Sequence, residues 1–222
     1  MNGINRLIDQ TILRPDASRQ DIEVFLSGVV QRDFYAAVVN PCWVEMAVAT
    51  LAGRMKVCSV VGFPLGASST KTKVFAATDL ISKGCDEIDM VMNIGWFKEK
   101  DFRPVGEEIR RMSEACQGKV LKVIIEACLL SDEEKVAAAK IVKENGAHFV
   151  KTSTGFSKGG ATVDDVRLLR STVGEDFGVK ASGGIRTYEQ ACSLVAAGAS
   201  RLGTSHGVAI VEAAPDRSRS EG

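Results

Sequence analysis

Short apolar runs alternate with longer amphipathic stretches along the whole chain. The runs are Ala36 to Val39, Val57 to Gly62, Glu87 to Met92, Val120 to Glu126, Ala147 to Lys151, Gly178 to Ala181 and Arg201 to Thr204, with an earlier one near Leu7 to Leu13. Each has the length of a strand, and the intervening stretches, about 10 to 16 residues long, carry apolar residues at helical spacing. Start signals support the helices. Ser18 precedes Asp21, Ser131 precedes Glu134, Thr162 precedes Asp165 and Thr187 precedes Gln190, each at capping-box spacing. Asn40-Pro41 reads as an N-cap followed by proline at the first helical position. Gly53, Gly84, Gly146 and Gly198 mark helix ends.

Strands that are apolar on both faces and alternate with helices predict a parallel sheet covered by helices. Eight such units in 222 residues predict an α/β fold, a small (β/α)₈ TIM barrel in a single domain over residues 1–214. An open doubly wound sheet is the alternative, but no GxGxxG fingerprint follows the first run. Residues 215–222 read as a disordered tail, and no linker or low-complexity segment interrupts the rest.

Composition narrows the function classes. Lys+Arg and Asp+Glu are equal at 28 each, which argues against a nucleic-acid partner or a membrane-surface patch. No apolar stretch approaches the roughly 18 residues of a membrane span, and the start of the chain lacks a secretory pattern. The six cysteines are scattered with no CxxC, as expected for reduced thiols in a cytoplasmic protein.

The candidate chemistry lies at the polar ends of the runs. Lys151 closes one apolar run and Lys180 sits in the next, each followed by Gly/Ser/Thr-rich sequence. A lysine there costs desolvation energy unless it is paired or neutral, and a second cation nearby lowers its pKa and frees the nitrogen to attack a carbonyl. Glu87 and Asp89 share one face of their run by period two, and Glu126 ends another. In a barrel all of these would meet at the C-terminal strand ends, where active sites of this fold lie. Gly183-Gly184 and Gly203 fall where such barrels bind phosphate, and Thr152, Ser153, Thr154 and Gly155 add hydroxyls and a permissive loop. Metal chemistry is not expected: only His148 and His206 are present, without HxH or HExxH spacing, and His148 reads as structural. There is no GxSxG elbow, and Cys42 has no evident histidine partner.

With these residues in view the chain resembles the deoxyribose-phosphate aldolases, a class I aldolase family, from about Leu7 to Val211. The resemblance is carried by Val39-Asn40-Pro41, Val60 to Gly66, Glu87 to Val91, Lys122 to Glu126, Val150 to Phe156, Val179 to Thr187 and Arg201 to Ser205. It implies a TIM barrel that cleaves 2-deoxy-D-ribose 5-phosphate reversibly to D-glyceraldehyde 3-phosphate and acetaldehyde, with no metal or other cofactor. It further implies Lys151 as the Schiff-base nucleophile, Lys180 as the cation that keeps it neutral, and Asp89 as the acid/base. Thr152, Gly155, Gly183, Gly184, Gly203 and Ser205 would bind the phosphosugar. Barrels of this kind often assemble, so a homo-oligomer, dimer or tetramer, is expected. The chain departs from the resemblance at Gln10 and Arg14, where relatives usually read Asp-His-Thr-x-Leu-Lys-Pro, and at His206, where they often carry Ser or Ala. These departures leave open a related phosphosugar or a different aldehyde as substrate. A non-catalytic phosphosugar-binding barrel is the reading from another class.

Overall fold

The computed structural model describes residues 3–215. Eight parallel strands close on themselves in sequence order: β1 (Ile8–Ile12), β2 (Ala36–Val39), β3 (Lys56–Val61), β4 (Glu87–Val91), β5 (Val120–Ile124), β6 (Phe149–Lys151), β7 (Gly178–Ser182) and β8 (Arg201–Thr204). β8 pairs back to β1 through Leu202 with Ile8 and Gly203 with Asp9, so the sheet has no free edge. The helices are α1 (Arg19–Gln31), α2 (Val44–Leu51), α3 (Thr70–Ser82), α4 (Ile94–Lys98), α5 (Arg103–Ala115), α6 (Asp132–Glu144), α7 (Val163–Val173), α8 (Tyr188–Ala196) and α9 (Gly207–Glu212). None of them is long and apolar enough to cross a membrane.

Period-two alternation sorts the strand residues. Ile8, Ala37, Val39, Val57, Ile88, Met90, Leu121, Val123, Val150, Val179, Ala181 and Leu202 join the apolar core between barrel and helices. The alternate positions point into the barrel, and they include seven charged side chains, Asp9, Glu87, Asp89, Lys122, Lys151, Lys180 and Arg201, all of them buried. The principal apolar core is thus a ring around the barrel, while the barrel itself holds a charge cluster. Arg201 closes its base, with its guanidinium 3.4 Å from the centroid of the Tyr35 ring and 5.3 Å from that of Phe149.

The helix starts follow the sequence closely. Ser18, Ser131 and Thr187 each form the full capping box. Thr162 caps α7 in one direction only, because the Asp165 carboxylate turns to Lys135, 2.6 Å away. Asn40 stands at the N-cap position with Pro41 in the first turn, as expected, but the turn is a 3₁₀ helix leading into α2, and the Asn40 side-chain amide donates to the Leu13 carbonyl instead of capping. The fifth run is shorter than its apolar composition suggested. It leaves the sheet after Ile124, and Glu126 adopts a left-handed conformation with φ 50°. Of the segment expected to be disordered, 215–222, all but Pro215 lies outside the described residues.

Candidate active site

Three lysines converge on one carboxylate. Asp89, on the inner face of β4, receives Lys151 Nζ at 2.7 Å and Lys180 Nζ at 2.8 Å on Oδ2, and Lys122 Nζ at 2.9 Å on Oδ1. Lys180 also donates to Asp9 Oδ2 at 2.5 Å, and Lys122 contacts Glu87 Oε2 at 2.5 Å. Arg201 binds Asp9 Oδ1 at 2.9 Å and lies 3.3 Å from Glu87 Oε2. The Cys58 thiol lies 3.3 Å from Asp89 Oδ1 and donates to it.

The cluster holds four cationic side chains, Lys122, Lys151, Lys180 and Arg201, against three carboxylates, Asp9, Glu87 and Asp89. One cation is in excess, and the surroundings select which is readiest to shed its proton. Burial pushes the Lys151 ammonium below its ordinary pKa; Asp89 opposes this, while nearby Lys180 adds to it. Burial acts the same way on Lys122 and Lys180, but each faces enough carboxylate charge to finish above the lysine range. Asp89 is the converse case. Burial would raise its pKa, yet Lys122, Lys151 and Lys180 hold it well below the carboxylate range. Lys151 is also the lysine that solvent still touches, at 3% exposure against 0% for Lys122 and Lys180. It is therefore the nitrogen best suited to act as a nucleophile.

Above the cluster opens a cavity of about 550 Å³. Gly155, Gly183, Gly184, Gly203 and Ser205, the expected phosphosugar residues, all line it. Thr152 does not. Its hydroxyl donates to the Ser182 carbonyl and accepts the Ser182 N–H, so it pins β6 to β7. Lys151 and Lys180 lie one inner-face layer below the lining: Ser182, two residues beyond Lys180 on β7, reaches the cavity wall. Gly184 has φ 77° with open space where a Cβ would project, so conformation alone demands glycine there. Gly203 is different: a Cβ would stand 2.7 Å from Ser182 Oγ and 3.0 Å from Lys180 Cε. Its absent side chain makes room for the lysine.

Of the three departures, Gln10 points outward from β1. Its Nε2 donates to the Ser205 carbonyl at 3.3 Å and its Oε1 accepts the Gly207 N–H at 2.9 Å, which ties down the loop after β8. Arg14 lines the cavity but is engaged by Asp16 and Asp21, each at 2.8 Å. His206 is exposed on the cavity wall, with Nδ1 3.1 Å from Ser205 Oγ. Lys158 is exposed and is not part of the lining. His148 is structural at the base of β6, where Nδ1 accepts the Leu121 N–H. Glu126 stands apart from the lysines. It accepts the backbone N–H and the hydroxyl of Thr154, and so holds the loop that follows Lys151.

Sequence reasoning passed over Asp9, Lys122 and Arg201. The signal that found Lys151 would have found Lys122, because a lysine between Leu121 and Val123 cannot reach water from a buried strand.

A closed parallel barrel with a buried lysine of lowered pKa beneath a glycine-lined cavity defines an aldolase-type site, one in which an amine can capture a carbonyl. The sequence matches the DeoC/LacD family aldolase over residues 5–213, and the chain belongs to that family. It is 51% identical over 211 residues to the deoxyribose-phosphate aldolase of Streptococcus equi subsp. zooepidemicus, covering 95% of this chain and 96% of the relative. Among solved structures it is similar to QR15, an aldolase, with TM-score 0.92 and 41% identity over 96% of each chain. It is also similar to the tetrameric deoxyribose phosphate aldolase of Aeropyrum pernix, with TM-score 0.87 and 33% identity over 94% of this chain and 89% of that one.

Proposed function

We propose that the chain cleaves 2-deoxy-D-ribose 5-phosphate to D-glyceraldehyde 3-phosphate and acetaldehyde, reversibly and through a Schiff base on Lys151. The observation that carries this reading is the cluster's one-cation excess, with Lys151 the member driven toward the neutral amine. The relatives named deoxyribose-phosphate aldolase support the choice of substrate.

The Lys151 amine adds to the C1 aldehyde, and loss of water from the carbinolamine leaves an iminium. The iminium accepts the electron pair released when the C2–C3 bond breaks, as a base takes the C3 hydroxyl proton. The resulting enamine is protonated at C2, and water then frees acetaldehyde and the amine. Asp89 is the carboxylate beside Lys151, and Lys180, bonded to the same oxygen, is the proton donor that restores it. Ammonium groups around the site offset charge that develops during proton transfer. The phosphate seats on the backbone at Gly155, Gly183, Gly184 and Gly203 with Ser205, which fixes C3 over the base. Assembly as a dimer or tetramer and residence in the cytoplasm belong to the same reading; the tetrameric Aeropyrum pernix relative supports the former.

The test is trapping. Borohydride added with 2-deoxyribose 5-phosphate should fix a substrate-derived mass on the Lys151 peptide and stop turnover. Turnover with Lys151 unmodified would refute the mechanism, and no turnover of this substrate by the wild type would refute the substrate.

A further inference from the structure

Lys73 and Glu108 form a second wholly buried ion pair, outside the barrel between α3 and α5, with Nζ 2.9 Å from Oε2. Replacing such a pair by apolar residues is often neutral for stability, so stability alone does not account for it. Its backbone contacts supply the missing reason. Lys73 Nζ donates to the Val91 carbonyl at 2.8 Å, and Glu108 Oε2 accepts the Asn93 N–H at 3.0 Å.

These two backbone groups have lost their strand. Met92 N–H donates to the Ile124 carbonyl on the β5 side, so by alternation Val91 and Asn93 face the β3 side. β3 has already ended at Val61, and Gly62, with φ 64°, turns the chain away. The ammonium and the carboxylate supply the donor and the acceptor that a longer β3 would have supplied. Gly62 also makes room for them, since a Cβ there would stand 2.7 Å from Lys73 Cε. Asp89 lies two residues before Val91, on the same strand.

We propose that Lys73 and Glu108 are positioning residues: they stand in for the missing end of β3, fix the exit of β4, and so hold Asp89 in reach of Lys151 and Lys180. The inference rests on the aldolase reading. It assigns the pair an effect on proton transfer and Schiff-base formation but none on phosphate binding, which lies across the barrel at β7 and β8.

The experiment begins with wild-type turnover of 2-deoxyribose 5-phosphate, whose absence would defeat the functional reading and not this one. With turnover established, Glu108→Gln and Lys73→Met/Glu108→Leu are compared. Glu108→Gln keeps the side chain's shape and the double variant removes both charges together, so the test does not depend on either variant alone folding well. The expected result is a fall in kcat of roughly 10- to 100-fold, as for a displaced reacting group. KM should stay within about twofold. The pH dependence of borohydride trapping at Lys151 should shift as well. Folded variants with wild-type kcat and an unmoved trapping profile overturn the proposal. So does a parallel worsening of kcat, KM and melting temperature, which would mark a general loosening of the barrel.

Discussion

Lys151 and Lys180 are direct register partners on neighbouring strands, and their ammonium groups meet at a single oxygen, Oδ2 of Asp89, at 2.7 and 2.8 Å. Adjacent parallel strands place partnered inner-face side chains side by side, so the barrel itself enforces this proximity. Two cations on one oxygen cannot be equivalent. Lys180 has a second carboxylate, Asp9, whereas the acidic partner of Lys151 is Asp89. On the proposed reading, this asymmetry suits Lys151 to be the nucleophile and Lys180 the proton-bearing neighbour.

Lys180→Met should therefore act in two ways. It removes a proton donor, with a fall in kcat of about 10²- to 10⁴-fold. It also removes a positive charge that lowers the Lys151 pKa, so the amine becomes more basic and less of it is free at neutral pH. The acid limb of borohydride trapping at Lys151 should move to higher pH. A variant that traps with the wild-type pH profile would show that Lys180 does not set the state of Lys151.

Acid should weaken the fold through the same cluster. Burial alone would raise the Asp9 pKa, but Lys180, Lys122 and Arg201 prevail and bring it to about 2 from an ordinary 3.8. A carboxylate depressed in the folded state adds stability that is fully present above its unfolded pKa and disappears as pH falls through the folded one. The Asp9 contribution should thus fade between about pH 4 and pH 2, and Asp89 extends the loss to lower pH. Melting temperature measured across that interval should fall in the wild type and fall less steeply in Asp9→Asn. Parallel slopes would mean that Asp9 does not carry the linkage.

Gly203→Ala should damage the chemistry although residue 203 reacts with nothing. The new methyl would meet Ser182 Oγ at 2.7 Å and Lys180 Cε at 3.0 Å, and both must move. A displacement of about 1 Å at a reacting group can cost on the order of 10²-fold, and the few tenths of an ångström asked of Lys180 here should lower kcat by roughly 3- to 10-fold. Gly184→Ala strains a left-handed turn on the cavity wall without meeting any atom, so its effect should fall mainly on KM. If the two variants lose kcat and KM in the same proportion, the distinction between the two glycines is wrong.

What the sequence made legible follows the same physical lines. Strand and helix alternation was readable because most of the apolar runs are bounded by caps or glycines, as at Ser131 and Gly146. Lys151, Lys180 and Asp89 stood out because an ionised group in a buried strand has few innocent explanations. Glu126 misled because residues flanking a strand can be as apolar as the strand, and only backbone conformation shows where the ladder stops. Asp9 and Arg201 escaped because they lie near the starts of their strands, where charge ordinarily means solvent; burial there depends on Tyr35 and Phe149 closing the barrel base. The Lys73–Glu108 pair was invisible, since neither a lysine in α3 nor a glutamate in α5 differs in sequence from an exposed one.

Gln10 gives the last prediction. Its amide uses both ends at once, donating to the Ser205 carbonyl and accepting the Gly207 N–H, and no pH change alters either bond. A histidine there would offer an acceptor nitrogen to Gly207 only while neutral, and protonation below about pH 6.5 would turn that acceptor into a second donor. The loop after β8 carries Ser205 and His206 on the cavity wall, so its loosening should weaken phosphosugar binding more than chemistry. Gln10→His should hold KM near the wild-type value at pH 8. KM should then rise about 3- to 10-fold as pH drops to 5.5, the loss of roughly one hydrogen bond. The wild type has no such titration at this position. Measuring KM for 2-deoxyribose 5-phosphate at both pH values in both proteins decides the matter: equal pH dependence would mean that the Gln10 contacts do not govern the loop proposed to hold the phosphate.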